Sequence, residues 1–237
     1  MSDYEWQKYI DNSNTKIRKQ NLAKRWNSNR RRIGNGSWQI GAKQIKKQSH
    51  YFNYSGLKNN WIDVRNFIKT DATYRDANVD WEQTQKLISK GVKKKALNIT
   101  QGFLGSDENN FTTTLGREGS DYTAAIFAYC LSAESVTIWK DVPGVLNADP
   151  RYFENAVLLN QISYREAIEL AFYGASVIHP KTLQPLQKKE IPLFVKSFVN
   201  PLLPGTSVSK GADLEPQTPC FIVKKDQLLL SLSSIDF

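Results

Sequence analysis

Thr112-Thr113-Thr114-Leu115-Gly116-Arg117-Glu118-Gly119-Ser120-Asp121, followed at once by the apolar, Ala-rich run Tyr122 to Ala133, is the stretch around which the remaining sequence arranges itself. It reads as a loop feeding a helix. Glycines let a backbone approach a ligand closely, and the free N–H groups of a helix's first turn carry partial positive charge that suits an anion. Arg117 adds a planar fork able to hold a carboxylate through two parallel hydrogen bonds. Asp121, in the first turn, can accept from an ammonium group. Together these features suit a small amino acid; they also suit an ordinary helix cap, with Ser120 as N-cap and Asp121 favoured by the helix dipole.

Outward from this corner the pattern alternates. Ala96 to Thr100 and Ser135 to Lys140 are β-branched and apolar enough for buried strands, and the helix between them, Asp121 to Leu131, is apolar on most sides. Asn60 to Ile68 mixes aromatic and β-branched residues as a strand does. Val79 to Ile88 fits a short strand or a helix, Gln101 to Gly105 ends a strand, and Asp107 to Asn110 is a polar turn. Further on, Ser163 and Glu166 form a capping box for a helix ending near Gly174, and Pro180 opens a second helix through Gln187. Ile191 to Phe198 is another strand, Pro201 to Gly205 a turn, and Leu214 to Pro219 a linker. Strand, helix, strand, helix in this order predicts an α/β fold with a parallel sheet, right-handed crossovers and a ligand site at the carboxyl edge of its strands.

The loop after Lys140 carries chemistry of its own. Pro143-Gly144 forces a turn, Lys140 and Arg151 offer charge to phosphates, and Asp141 can hold a ribose hydroxyl or orient a cation. The plain alternative for Asp149-Pro150-Arg151 is a surface turn closed by an ion pair. No GxxxxGK[ST] occurs, which excludes a P-loop nucleotide site. His179, directly before Pro180, reads as a structural hydrogen-bonder.

The formal charge of +9 suggests a nucleic-acid partner until its location is considered. Residues 1–50 hold 12 Lys and Arg against 3 Asp and Glu, leaving 20 of each sign in residues 51–237. The larger part is neutral, and the basicity belongs to a segment whose apolar residues keep neither a helical nor a strand period, so residues 1–48 are expected to lack a core. Arg30-Arg31-Arg32 between Trp26 and Trp38 could attract phosphates and stack bases, but an isolated basic stretch is more often solvated, and no nucleic-acid partner is expected. Cys130 and Cys220 lie far apart without metal spacing, which favours reduced thiols and a cytoplasmic location; Cys130 reads as a small buried hydrophobe. Neither a signal peptide nor a run of eighteen apolar residues occurs, so no membrane association is expected.

Thr113-Thr114-Leu115-Gly116-Arg117-x-Gly119-Ser120-Asp121-Tyr122 and its Ala-rich helix resemble the aspartate-binding signature of aspartokinases, members of the amino-acid kinase family. Lys140 to Arg151 resembles their nucleotide loop. Ile162 to Ala167 and Tyr173 to Pro180 resemble the helix-turn-helix that closes over the adenine, Gln101-Gly102-Phe103 a strand end, and Asp63 to Asp71 the substrate-side strand and turn. The similarity runs from about Asn53 onward. It implies an αβα sandwich around a mainly parallel sheet, incomplete at its N-terminal half: a basic segment 1–50 without a family match, the C-terminal part of a kinase domain at 51–211, and the start of an ACT-like regulatory domain at 212–237. The family's Lys-Phe-Gly-Gly turn and Gly-Glu pair have no counterpart in the sequence, so little turnover is expected of this chain, and end-product control is not expected.

For function, the resemblance implies ATP-dependent phosphorylation of the side-chain carboxylate of L-aspartate to 4-phospho-L-aspartate, toward lysine, threonine and methionine, with Mg2+ accompanying ATP and a homodimer allowed. Arg117, Gly119, Ser120 and Asp121 would hold the amino acid, Asp121 standing nearest the chemistry. Lys140, Asp141, Leu146, Arg151, Ser176 and Val177 would hold the nucleotide, and no resident metal site is implied. Leu146 stands where an aromatic is frequent. Glu118 stands where many members have Gly and is expected to point away from an anionic substrate. The competing readings are a non-catalytic remnant that binds nucleotide weakly or not at all, and a basic-tailed nucleic-acid binder.

Overall fold

The computed structural model describes residues 37–173, 177–225 and 228. In chain order the elements are α1 (Ser37–Tyr54), β1 (Asn60–Ile62), a 3-10 turn (Val64–Asn66), α2 (Trp81–Gly91), β2 (Asn98–Thr100), β3 (Leu104–Ser106), β4 (Thr112–Thr114) and α3 (Gly119–Leu131). They continue with β5 (Val136–Lys140), β6 (Gln161–Ser163), α4 (Tyr164–Tyr173), α5 (Pro180–Lys188), β7 (Leu193–Ser197) and β8 (Thr206–Ser209). β1 pairs parallel with β2, and the four-stranded sheet runs β5-β7-β8-β6, parallel at β5–β7 and β6–β8 and antiparallel at β7–β8. The mixed α/β, mainly parallel architecture is the one expected, with β7–β8 as its antiparallel seam. That seam follows from the short turn Pro201 to Gly205, which can only reverse the chain, whereas a parallel neighbour needs a crossover.

Two apolar cores meet at α3. One gathers Ala125 and Ala128 with Ile138, Leu159, Ile162, Leu183, Leu193, Val195 and Val208; the other gathers Ile126 and Cys130 with Val64, Ile68, Ile88, Leu104 and Leu115. This explains why α3 is apolar nearly all round: opposite faces are buried against different layers. Cys130 is buried, and burial pushes its thiol up to about 11 against the opposing charge of Lys189, as suits an inert core residue. The C-terminal end of α3 is held by Lys189, whose Nζ donates to the Tyr129 carbonyl at 2.6 Å and to Ser132 Oγ at 3.1 Å and lies 4.4 Å from the Tyr129 ring centroid. Lys189→Met is expected to cost about 1 kcal/mol, or roughly 2–4 °C of melting temperature in a chain of this size, read by calorimetry.

The structure refines several expectations. The segment 1–48 was expected to lack a core of its own; its described residues belong to α1 (Ser37–Tyr54). Its Lys, Gln and Ala content favours helix without a strong apolar stripe, and its last turns are anchored by polar contacts. Ser49 is buried, and Asn53 Oδ1 accepts the Asn59 backbone N–H at 2.9 Å. The helix also runs through residue 50, where a boundary had been expected. The strand at 60–68 stops at Ile62, since Asp63 accepts from the Arg65 N–H and turns the chain into the 3-10 turn. Trp81–Gly91 resolves as helix, capped by the Asp80 side chain on Gln83 N–H at 3.0 Å. Leu104–Ser106 and Thr112–Thr114, read as strand end and loop, pair as an antiparallel hairpin around the turn at 107–110.

The capping box forms as expected: Glu166 Oε2 accepts from Ser163 N–H at 2.7 Å, and Ser163 Oγ accepts from Glu166 N–H at 3.2 Å. His179 caps α5, its Nδ1 accepting from Lys181 N–H at 3.2 Å. The linker expected at 214–219 is docked against the domain instead, and residues 221–225 have no regular structure; Asp226, Gln227 and 229–237 lie outside the described residues.

Candidate active site

Local backbone geometry aims the signature. Leu115 N–H donates to Phe103 O, after which Gly116 takes φ +79° with the Asp76 carboxylate so close that a Cβ there would lie 2.1 Å from Oδ1. Only glycine fits. Glu118 follows at φ +53°, and the Asp121 and Tyr122 N–H groups both donate to its carbonyl, so Glu118, not Ser120, is the N-cap, and it caps with its backbone alone. Gly119 then lies against Phe103, where a Cβ would come within 2.7 Å of the ring. Ser120 is exposed beside Gly102, and Arg117 is exposed with no hydrogen-bond acceptor among the described residues. This leaves its guanidinium available at the helix mouth.

From β5, whose carboxyl end points the same way, Lys140 reaches this mouth. Its Nζ stands 2.7 Å from Asp121 Oδ2 and 3.5 Å from Glu118 Oε2, with all three side chains about four-fifths buried. Lys140 and Asp121, expected on nucleotide and amino-acid respectively, therefore form one largely buried cluster. Glu118, expected to point away from an anionic substrate or cost affinity, faces Lys140. The ammonium group between two carboxylates offsets their mutual repulsion. A single sequence carries no signal for this pairing, since the residues are brought together by a crossover.

Asp141 is exposed beside the cluster, and Leu146 is half-buried in a bridge to Leu158. Arg151 is held by its own turn: Nε and Nη2 both reach Asp149 Oδ2, at 2.9 and 2.5 Å, and the arginine side chain is 78% exposed. The ion-paired turn offered as the plain alternative is present, with the carboxylate two residues back as the partner. Those hydrogen bonds hold the Asp149 carboxyl below the usual range and the Arg151 guanidinium above it. Val177 is half-buried and packs on the core, lining an apolar cavity of about 10 Å3 with Val145, Ile162 and Ala167. Ser176 lies outside the described residues.

Sequence reading missed two supports. Gln101 is buried and donates through Nε2 to Asp63 Oδ1 at 2.7 Å, tying the end of β2 to the 3-10 turn. Burial would raise the Asp63 carboxyl, but hydrogen bonds from Arg65 and Gln101 outweigh it and hold it below the usual range. Lys181 Nζ donates to Asp76 Oδ1 at 2.6 Å, fastening the loop at 71–79 over Gly116 from α5. Burial lowers the pKa of His179, with Glu118 and Asp76 opposing and Arg117 and Lys181 reinforcing. The signal was legible only for Gln101, which sits in the Gln-Gly-Phe run.

The chain is similar to known proteins in sequence and fold. Residues 45–197 match the Amino acid kinase family. Lysine-sensitive aspartokinase 3 of Escherichia coli is 40% identical over 179 residues, covering 74% of this chain and 40% of that protein. The chloroplastic bifunctional aspartokinase/homoserine dehydrogenase 2 of Arabidopsis thaliana is 36% identical over 178 residues, covering 72% and 19%. The crystal structure of E. coli aspartokinase III in complex with aspartate and ADP superposes with a TM-score of 0.66 at 39% identity, over 68% of this chain and 37% of that one. The chain thus spans two fifths or less of these relatives. By the match over well more than half of its residues, it belongs to the amino acid kinase family.

Proposed function

We propose that this chain carries the amino-acid and nucleotide grips of an aspartokinase, which transfers the γ-phosphoryl group of ATP to the side-chain carboxylate of L-aspartate. The observation that carries the reading is the Lys140–Asp121–Glu118 cluster beside the free guanidinium of Arg117. A carboxylate oxygen of aspartate attacks the γ-phosphorus, the P–O bond to the β-phosphate breaks, and ADP leaves with that electron pair. Little covalent chemistry falls to the protein; its work is positioning and charge neutralisation. Arg117 clamps a substrate carboxylate, Asp121 accepts from the ammonium group, Gly119 and Ser120 shape the helix mouth, and Lys140 faces the phosphates. Asp141 and Leu146 border the nucleotide.

Among the described residues no three His, Cys, Asp or Glu side chains converge as a metal cluster. Mg2+ accompanying ATP would be held by phosphate oxygens and water, its usual preference, and would neutralise charge on the transferring group. No described helix is long and apolar enough to cross a membrane. A cytoplasmic location accords with two free cysteines.

A second reading, a nucleotide-binding remnant without turnover, is favoured by Arg151, whose fork is already filled by Asp149. Aspartate-dependent ADP release by the purified chain separates the two. Under the first reading, Arg117→Ala lowers kcat/KM for aspartate roughly a hundredfold or more, as expected for losing a bidentate charge pair, with ADP affinity within about twofold. A nucleotide-induced thermal shift without any aspartate-dependent release, in parent and variant alike, supports the second.

A further inference from the structure

The residues after β8 do not trail away from the domain. They turn back along it: residues 213–221 hydrogen-bond to Asn160 and Gln161 at the start of β6 and to Asn147 in the loop that follows β5, with Leu214 and Cys220 packed on the core. Glu215 bridges Gln161, its carbonyl accepting from Asn160 N–H at 2.7 Å and its N–H donating to Gln161 O at 2.9 Å. Asn147 then joins three segments. Its Nδ2 donates to Pro219 O at 3.0 Å, its carbonyl accepts from Phe221 N–H at 2.7 Å, and its Oδ1 accepts from Val157 N–H at 2.7 Å. Its own N–H donates to Val157 O at 3.0 Å. All of this is made by one side chain and one peptide unit that are 8% exposed.

Beyond it the Phe221 ring stacks on Phe153, with centroids 5.5 Å apart and planes inclined by 24°, and Lys225 Nζ lies 4.8 Å from the Tyr152 ring centroid. Between Asn147 and Phe153, the loop's own contacts are a local turn, Tyr152 and Phe153 N–H to Asp149 O, and the Asp149–Arg151 pair. A short turn of this kind does not fix where the loop sits. Its anchorage comes from Thr206 and Leu159 at Val145, from Val157 at Asn147, and from residues 219–221.

We infer that residues 213–225 form a strap that sets the position of the loop 141–151, with Asn147 and Phe221 as its positioning residues, so that nucleotide affinity depends on a segment that touches no nucleotide. The inference deepens the nucleotide reading of that loop and rests on it. Pulling residues 219–225 off the domain removes two of the four hydrogen bonds at Asn147 and the Phe221–Phe153 stack, loosening the loop beyond Leu146, while Val145 keeps Thr206 and Leu159 and α3 keeps its contact with Phe103. The strap therefore tunes one substrate and leaves the other alone.

The test compares Phe221→Ala, a half-exposed ring whose loss leaves the cores intact, with Asn147→Ala in the full chain. Two measurements are made: ADP binding by calorimetry with Mg2+ present, and hydrogen–deuterium exchange of peptides covering 145–153. Expected are faster exchange at 145–153, unchanged exchange across α3, and a rise in the ADP dissociation constant of roughly five- to twentyfold, the loss of one or two ordering contacts. Phe221→Ala guards against a merely unfolded Asn147 variant. Unaltered exchange at 145–153 and unaltered ADP affinity in Phe221→Ala would overturn the strap. Absence of ADP binding by the unsubstituted chain would overturn the nucleotide reading instead, and is distinguished by exchange that still quickens at 145–153.

Discussion

Replacing Lys140 by methionine is expected to raise the ADP dissociation constant roughly ten- to hundredfold and to lower the melting temperature of the ligand-free chain by several degrees. Both effects share one cause. Lys140 Nζ is the cation between Asp121 and Glu118, at 2.7 and 3.5 Å, in a site where all three side chains are largely withdrawn from water. Two unit charges about 4 Å apart interact by about 4 kcal/mol at an effective dielectric constant of about 20, so removing the ammonium leaves two neighbouring carboxylates in mutual repulsion. Under the proposed nucleotide reading, the same pair would then repel the phosphate that Lys140 is proposed to face. Hydration of the exposed fifth of each side chain returns part of this, which is why the expected loss is below the Coulomb figure. A second substitution separates charge from packing: Lys140→Met with Glu118→Gln should recover most of the melting temperature and only part of the ADP affinity. Equal thermal losses in the single and double variants would show that the cluster does not act through its charges.

Gly205→Ala is expected to destabilise the chain by about 2–4 kcal/mol, through backbone strain and overpacking together. Gly205 has φ +75° at the end of the turn that reverses the chain from β7 into β8, and a Cβ there would lie 2.1 Å from the Val195 carbonyl oxygen. Val195 is a fully buried β7 residue paired with Thr206 across the antiparallel seam. The seam cannot yield locally, because Thr206 is itself buried and its Oγ1 accepts from Val145 N–H at 2.8 Å, at the root of the loop after β5. Strain at one glycine is thus passed to the sheet's centre and to the loop after β5. Urea melts should show a lower midpoint with an unchanged slope; an unfolding free energy within about 0.5 kcal/mol of the parent would mean that the turn relaxes away from Val195.

The elements that sequence reading located well are those whose cause lies within a few residues. The Ser163–Glu166 box, Pro180 at a first helical turn, and the β-branched runs at 136–140 and 193–197 each carry their own signal, and each formed. The failures have the opposite character. α1 is held by Asn59, outside its own helix, and the β3–β4 hairpin by pairing across a turn between segments too short to signal strands alone. Glu118 shows the limit within the site itself: its carboxylate faces Lys140, twenty-two residues away, and no local rule reports the sign of a charge brought in by a crossover.

By itself, therefore, the sequence determined the alternation of strands and helices, the neutrality of residues 51–237 and the glycine-rich corner before α3, since periodicity, composition and steric freedom are properties of neighbouring residues. Only the tertiary structure decided that Lys140 is clamped between two acids and that residues 213–225 pack on the loop at Asn147. Those outcomes depend on which partners the folded chain delivers within hydrogen-bonding reach, and reach is fixed by packing between segments distant in sequence.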